Sequence, residues 1–430
     1  MRLPARLPLL ALAALLALAT AACETAPPPA AAELARRPPA GIEATLQRYV
    51  DDGRIAGAAA LVLRDGQPVY EGAVGWSDKE AGRRMRADTI FRIASQSKAI
   101  TSAAILILAE DGKLRLDDPV SRTIPAFAHT TVAGDGGAAA PARRPILLRD
   151  LLTHTAGISY GTDEAVADAY RARGLGSAAG YGWYLADKDE DVCATMERLA
   201  TLPFVAQPGE RWVYGYNTDI LGCVVERASG RSLDAFVRER IAGPLGMRDT
   251  QFFLPPAQRE RLAAVYASGD DGRAVRAPDG ALGQGDYIDG PRRAFSGGAG
   301  LLSTARDYAR FLEAIRRGGE LDGVRILSPR SAESMHTAQT GALYPEPGMG
   351  FGYGFEVTER AGAHAPDGAG AFGWGGAYGT LYRVDPASRT VMVLMLQLIP
   401  NDTDIHEAFR DAAYRSVADG ATAAPASARR

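Results

Sequence analysis

Residues Ile42 to Asp51 carry the mixed apolar and polar pattern of an amphipathic helix. Two β-prone runs follow, Gly57 to Leu63 and Gln67 to Gly75. They flank Arg64-Asp65-Gly66, which is a hairpin signal. From Ser95 to about Gly112 the pattern is helical. The middle of that stretch, Ala103 to Ala109, is apolar on every side and predicts a buried helix. Residues 115–250 alternate helical patches with loops marked by Gly and Pro. Near the C-terminus, Gly379 to Val384 and Thr390 to Leu398 flank Asp385-Pro386-Ala387-Ser388 and predict a second hairpin, and Asp404 to Ala418 predicts a closing helix. The order predicts an α+β fold: an antiparallel sheet built from both ends of the chain, flanked by the N- and C-terminal helices, with a mainly helical lobe inserted. The α/β lobe is expected over 41–110 and 290–418, and the helical lobe over 111–289.

Outside this domain the pattern changes. Arg2 and Arg6 precede an apolar stretch from Leu7 to Ala19, with small residues up to Cys23. This predicts a cleaved signal peptide over 1–22, and hence an exported protein, periplasmic, secreted or lipid-anchored. Thr20-Ala21-Ala22-Cys23 is similar to a lipoprotein box, although the usual Leu three places before the cysteine is missing. Ala19-Thr20-Ala21 equally suits an ordinary signal peptidase, so a lipid on Cys23 is one of two readings and the only membrane attachment expected. Residues 23–40, rich in Pro and Ala, read as a linker, and 419–430 as a disordered tail. The remaining cysteines, Cys193 and Cys223, either pair in an oxidising compartment or stay as separate buried thiols.

The 430 residues carry a formal net charge of -3, so no basic excess recruits nucleic acid. Only four of the 48 basic residues are lysines: Lys79, Lys98, Lys113 and Lys188. A lysine kept in such an arginine-rich chain calls for a reason. Lys98 lies three residues after Ser95, on the same face if Ser95 opens the helix. A serine hydroxyl is a poor nucleophile until a neighbour takes its proton. A lysine amine does this only in its neutral form, and lowering its pKa from about 10.4 to near 7 takes roughly 4–5 kcal/mol of burial and nearby positive charge. Arginine stays protonated and cannot serve. The bland alternative makes Ser95 a helix cap and Lys98 a solvated side chain.

Two further segments bear on this chemistry. Trp212 to Gly222 contains Tyr214, a phenol suited to relaying a proton to the leaving group, or else simply a packed aromatic. Phe372 to Thr380 contains Trp374-Gly375-Gly376-Ala377, whose glycines would let a strand backbone approach a ligand. A backbone N–H from this strand and one from Ser95 would form an oxyanion hole. Gly157-Ile158-Ser159-Tyr160-Gly161 matches the G-x-S-x-G nucleophile elbow. What precedes it reads as a helix end and loop, not as the buried strand that elbow needs, so Ser159 is discounted. His129, His154, His336, His364 and His406 show no metal-ligand spacing, and neither metal nor cofactor is expected.

Taken together, Ser95-Gln96-Ser97-Lys98, the Tyr214 segment and the Trp374 segment resemble the serine beta-lactamase and penicillin-binding protein superfamily. The nearest likeness is to class C beta-lactamases and family VIII carboxylesterases. Leu151 to Ile158, Gln207-Pro208-Gly209-Glu210, Gly243 to Met247 and Ser296 to Thr304 agree, so the resemblance spans about 41–415. It implies Ser95 as the acylated serine, Lys98 as base or proton shuttle, Tyr214 as the tyrosine that opens a Tyr-x-Asn motif, and Ala377 as the second oxyanion donor through its backbone N–H. It also makes His154 a structural loop residue. Tyr216 stands where that motif has asparagine, and Asn217 comes one place later. Both are expected at the substrate, together with Trp374, Gly375 and Gly376. Trp374-Gly375-Gly376 stands where the lactamases have Lys-Thr-Gly, and the loss of that cation favours esters with short or neutral acyl groups over beta-lactams. The partners implied are small-molecule esters or amides. A beta-lactamase, a D-amino-acid amidase or DD-peptidase, and a non-catalytic acyl-binding sensor are the rival readings.

Overall fold

A computed structural model describes residues 41–134, 139–175, 188–280 and 283–422. The expected signal peptide, Cys23, the linker and residues 423–430 lie outside the described residues. Helix α1 (Ile42–Asp51) buries Ile42, Leu46 and Tyr49, a spacing that puts them on one face. Strands β1 (Gly57–Arg64) and β2 (Gln67–Asp78) form the expected hairpin. Its tip residues Asp65 and Gly66 both have positive φ, 53° and 77°, as a two-residue turn with the twist of a hairpin requires. β3 (Arg83–Arg84) extends that edge.

Helix α2 (Ser97–Glu110) is buried from Ser97 through Leu108, as its all-round apolar middle predicts. Helices α3 (Val192–Leu199) and α4 (Asn217–Ser229) are joined by a Cys193–Cys223 disulfide with Cα atoms 4.9 Å apart, which settles the two readings of these cysteines in favour of pairing. After α5 (Ala305–Arg316), the chain returns to the sheet through β4 (Met349–Phe351), β5 (Glu356–Thr358), β6 (Phe372–Gly375), β7 (Leu381–Asp385) and β8 (Thr390–Met395), and closes with α6 (Ile405–Thr422). The closing helix runs past Ala418, so residues 419–422 are helical and not part of a tail.

The eight strands lie in the order β4-β5-β6-β7-β8-β1-β2-β3, every neighbour antiparallel. The last strand thus pairs with the first, Leu61 opposite Val393, and both chain ends build one sheet. Strand periodicity sorts the core into two layers. Ala58, Ala60, Val62, Met392 and Leu394 face α1 and α6. Ala59, Leu61, Val391, Val393 and Met395 face α2 and the inserted helices. The insertion ends sooner than residue 289. Leu262 already bridges Ile90, Tyr266 bridges Leu398, and Tyr266–Ser268 pairs with Ala274–Arg276. These short pairings follow no sustained period-2 run, which is why the sequence pattern left them in the helical lobe.

Candidate active site

Ser95 sits in a tight helical turn, Ala94–Gln96, that runs straight into α2. Ala94, just before it, has φ +43°, a left-handed conformation that costs an alanine about 1 kcal/mol or more and is kept where the surroundings over-determine it. One helical turn later, Lys98 is only 2% exposed. Its Nζ donates to Ser95 Oγ (3.1 Å), Tyr160 Oη (2.9 Å) and Gly298 O (2.8 Å). None of the three acceptors is a carboxylate. Tyr308 Oη donates to Gln96 O and Ser97 Oγ accepts from Leu301 N–H, which fixes the start of α2 against α5 and the 296–302 segment.

Two loops bring phenols to the amine. A Cβ on Gly215 would lie 2.2 Å from Ile158 O and 2.4 Å from Ser159 C, so that glycine lets the 213–216 loop press backbone to backbone against 158–160. Tyr160 and Tyr214 then flank Lys98, whose Nζ lies 5.6 Å and 4.7 Å from their ring centres. Tyr160, and not Tyr214, makes the direct hydrogen bond to Lys98. Trp374 Nε1 donates to Tyr214 Oη (3.1 Å), leaving the phenol's own proton free to be given elsewhere.

Tyr160 was not legible in the sequence as a site residue. It lies inside the Gly157-to-Gly161 match to the nucleophile elbow, bracketed by Gly157 and Gly161, both of positive φ. A Cβ at Gly157 would sit 2.0 Å from Ala206 O, and one at Gly161 2.7 Å from the Tyr170 ring. Such a glycine bracket is the local signal of a loop held to one shape. Ser159 itself is buried and its Oγ accepts from Gly161 N–H.

Tyr216 and Asn217 lie elsewhere than expected. Tyr216 is buried with its ring 4.8 Å from that of Tyr160, and its Oη donates to Leu175 O. Asn217 is fully buried, and its Nδ2 donates to His154 Nδ1 (2.9 Å), Ile158 O and Val213 O. Neither lines the cavity at Ser95. Because Asn217 starts α4, its side chain turns back onto the loops and ties them together. His154, φ +57°, packs against Trp212, Tyr214 and Phe351, and burial first, then the charge of Lys98, holds its ring well below the ordinary histidine value.

The cavity holds about 400 Å³ and is lined by Ser95, Tyr214, Trp374, Gly375, Ala377 and Leu381, with Glu356, His364, Arg383 and His406 beyond. Arg383, the one arginine or lysine on this wall among the described residues, is spent on Asp367 (2.6 Å), Glu356 (3.2 Å) and Thr358 Oγ1 (2.9 Å). Gly376 is needed for the approach of the strand end to the serine turn. A Cβ there would lie 2.5 Å from Ile93 O and 2.2 Å from Thr380 Oγ1. Gly376→Ala is therefore expected to push the Ala377 N–H away from Ser95 and to lower ester kcat/KM by about 100-fold, the scale of an ångström's misplacement. An unchanged kcat/KM would show that this approach does not set the site.

Residues 42–415 match the Beta-lactamase family. The chain belongs to the beta-lactamase family. Within it, this chain is 34% identical over 413 residues to Protein Rv1367c of Mycobacterium tuberculosis H37Rv, covering 91% of this chain and 97% of that one. It is 36% identical over 380 residues to Esterase EstB of Burkholderia gladioli, covering 85% of this chain and 91% of that one. Among solved structures, EstCE1, a hydrolase with promiscuous acyltransferase activity, matches with a TM-score of 0.75 at 30% identity, over 90% of this chain and 100% of that one. This beta-lactamase-family protein is a serine hydrolase of the carboxylesterase-like kind.

Proposed function

We propose that the chain hydrolyses esters with short or neutral acyl groups through an acyl-enzyme on Ser95. The observation that carries this reading is the buried Lys98 amine 3.1 Å from Ser95 Oγ, surrounded by neutral oxygens. Gly298 O can only accept, so in the neutral amine the lone pair is available to the hydroxyls of Ser95 and Tyr160. Lys98 and Tyr214 share removal of the Ser95 proton. Ser95 Oγ attacks the ester carbonyl, and the Ser95 and Ala377 N–H groups hold the oxyanion. Tyr214 or Lys98 passes the proton to the leaving alkoxide. Water then cleaves the acyl-enzyme by the reverse path. Tyr160 anchors the amine, and the Trp374 N–H steadies Tyr214 by favouring its oxygen as an acceptor.

Ester preference rests on the cavity wall. A substrate carboxylate gains from a free cation, and Arg383 is already neutralised by two carboxylates. The esterase named among the relatives supports the same choice. The N-terminal pattern and the Cys193–Cys223 disulfide support export to an oxidising compartment. Turnover of a p-nitrophenyl butyrate, a chromogenic cephalosporin and a D-alanyl anilide is the test. The ester is expected to lead in kcat/KM by at least about 100-fold, the worth of one missing charge-assisted anchor. A cephalosporin turned over as fast as the ester would overturn the ester reading.

A further inference from the structure

One buried carboxylate takes no part in the steps above. Asp219 lies in the first turn of α4 and is 2% exposed. It makes no salt bridge among the described residues, and a buried acid without an ion pair is costly to keep. Burial raises its carboxyl above the ordinary aspartate value, against the smaller opposing pulls of the Ser296 hydroxyl and then the charge of Lys98. Its Oδ1 accepts from Ser296 Oγ (2.5 Å) and from Gly298 N–H (3.2 Å).

The Ser296 hydroxyl is the middle of a longer chain. Ser296 Oγ accepts from Ala299 N–H (3.1 Å). That N–H belongs to the same peptide unit as Gly298 O, which accepts from Lys98 Nζ at 2.8 Å. Every donor points the same way, from the amine through one peptide and one hydroxyl to the carboxylate. Hydrogen bonds aligned in this sense strengthen one another, and an anionic end makes Gly298 O a better acceptor. The turn is shaped for this route. A Cβ on Gly298 would lie 2.5 Å from Asp219 Oδ2, and one on Gly297 would lie 2.6 Å from Thr218 O.

We propose that Asp219 is a positioning residue of the site: through Ser296 and the Gly298–Ala299 peptide it holds the Gly298 carbonyl on Lys98 and so sets the pH dependence with which Ser95 is activated. This rests on the reading of Lys98 as proton acceptor. The titratable groups facing Lys98 are Tyr160 and Tyr214 from the two loops, with His154 next to Tyr214. Tyr216 faces Asp219 from the start of α4. All of these remain in place in the variants that test the proposal.

The experiment follows kcat/KM for p-nitrophenyl butyrate against pH in the wild-type protein, Asp219→Asn and Ser296→Ala, with melting temperatures measured alongside. A negative charge at the end of this chain favours positive charge at the site, so its neutralisation is expected to extend activity to lower pH. The rising limb is expected to move down by about one pH unit in Asp219→Asn. In Ser296→Ala, which keeps the carboxylate and removes the link, it is expected to move down by at least about half a unit. A purely structural role would lower the plateau and leave the limb in place. If Asp219→Asn does not fold, Ser296→Ala decides alone. A folded variant whose limb stays put or moves up overturns the proposal. Lys98→Arg separates the two levels. If it keeps activity, the reading of Lys98 fails and this inference with it. If it is inactive while the limb in the Asp219 and Ser296 variants stays put, only the role of Asp219 fails.

Discussion

Ser95→Ala is expected to lower ester hydrolysis by on the order of 10⁴-fold or more, while Ser159→Ala stays within about tenfold of wild type. The asymmetry follows from position. Ser95 lies on the cavity wall at the mouth of α2, one turn from a buried amine. Ser159 is buried, its hydroxyl holds Gly161 N–H, and it lies outside the cavity. Removing the Ser95 hydroxyl removes the atom that is acylated, and the oxyanion donors that remain cannot form an acyl-enzyme without it. Losing the Ser159 hydroxyl leaves only one backbone N–H to find another partner. Initial rates with p-nitrophenyl butyrate on the two purified variants decide the matter. A dead Ser159→Ala beside an active Ser95→Ala would move the nucleophile to the elbow motif.

Lys98→Arg is expected to be nearly as damaging as Lys98→Ala, each costing about 10³-fold in kcat/KM. The two substitutions separate charge from proton transfer. Arginine keeps the positive charge yet stays protonated at any working pH, so it cannot take the Ser95 proton. It also carries a planar head into a pocket that fits a single tetrahedral nitrogen between Ser95, Tyr160 and Gly298. Melting curves show whether the arginine variant is folded. Substantial turnover by a folded Lys98→Arg protein would refute the base role.

The sequence made Ser95 and Lys98 visible because they lie one turn apart on a continuous helical stretch, the Ala94–Gln96 turn running into α2, where spacing fixes which side chains meet. The hairpins at Asp65-Gly66 and after Asp385 were readable for a similar local reason. Tyr160 was not, because its place beside Lys98 depends on two loops closing against each other through Gly215, a contact with no sequence period. Tyr216 and Asn217 were placed by motif position. Which way a side chain points at a helix start depends on the turn before it, and here that turn sends Asn217 toward His154 and away from the cavity. The pairing of Cys193 with Cys223 likewise depended on the packing of α3 on α4, which spacing along the chain does not encode.

The most direct measurement is covalent. Wild-type protein treated with a p-nitrophenyl phosphonate is digested and mapped by mass spectrometry. One adduct per chain is expected, on Ser95, formed much more slowly in Lys98→Arg. An adduct on any other residue, or none on a protein that still hydrolyses the ester, would contradict Ser95 as the nucleophile.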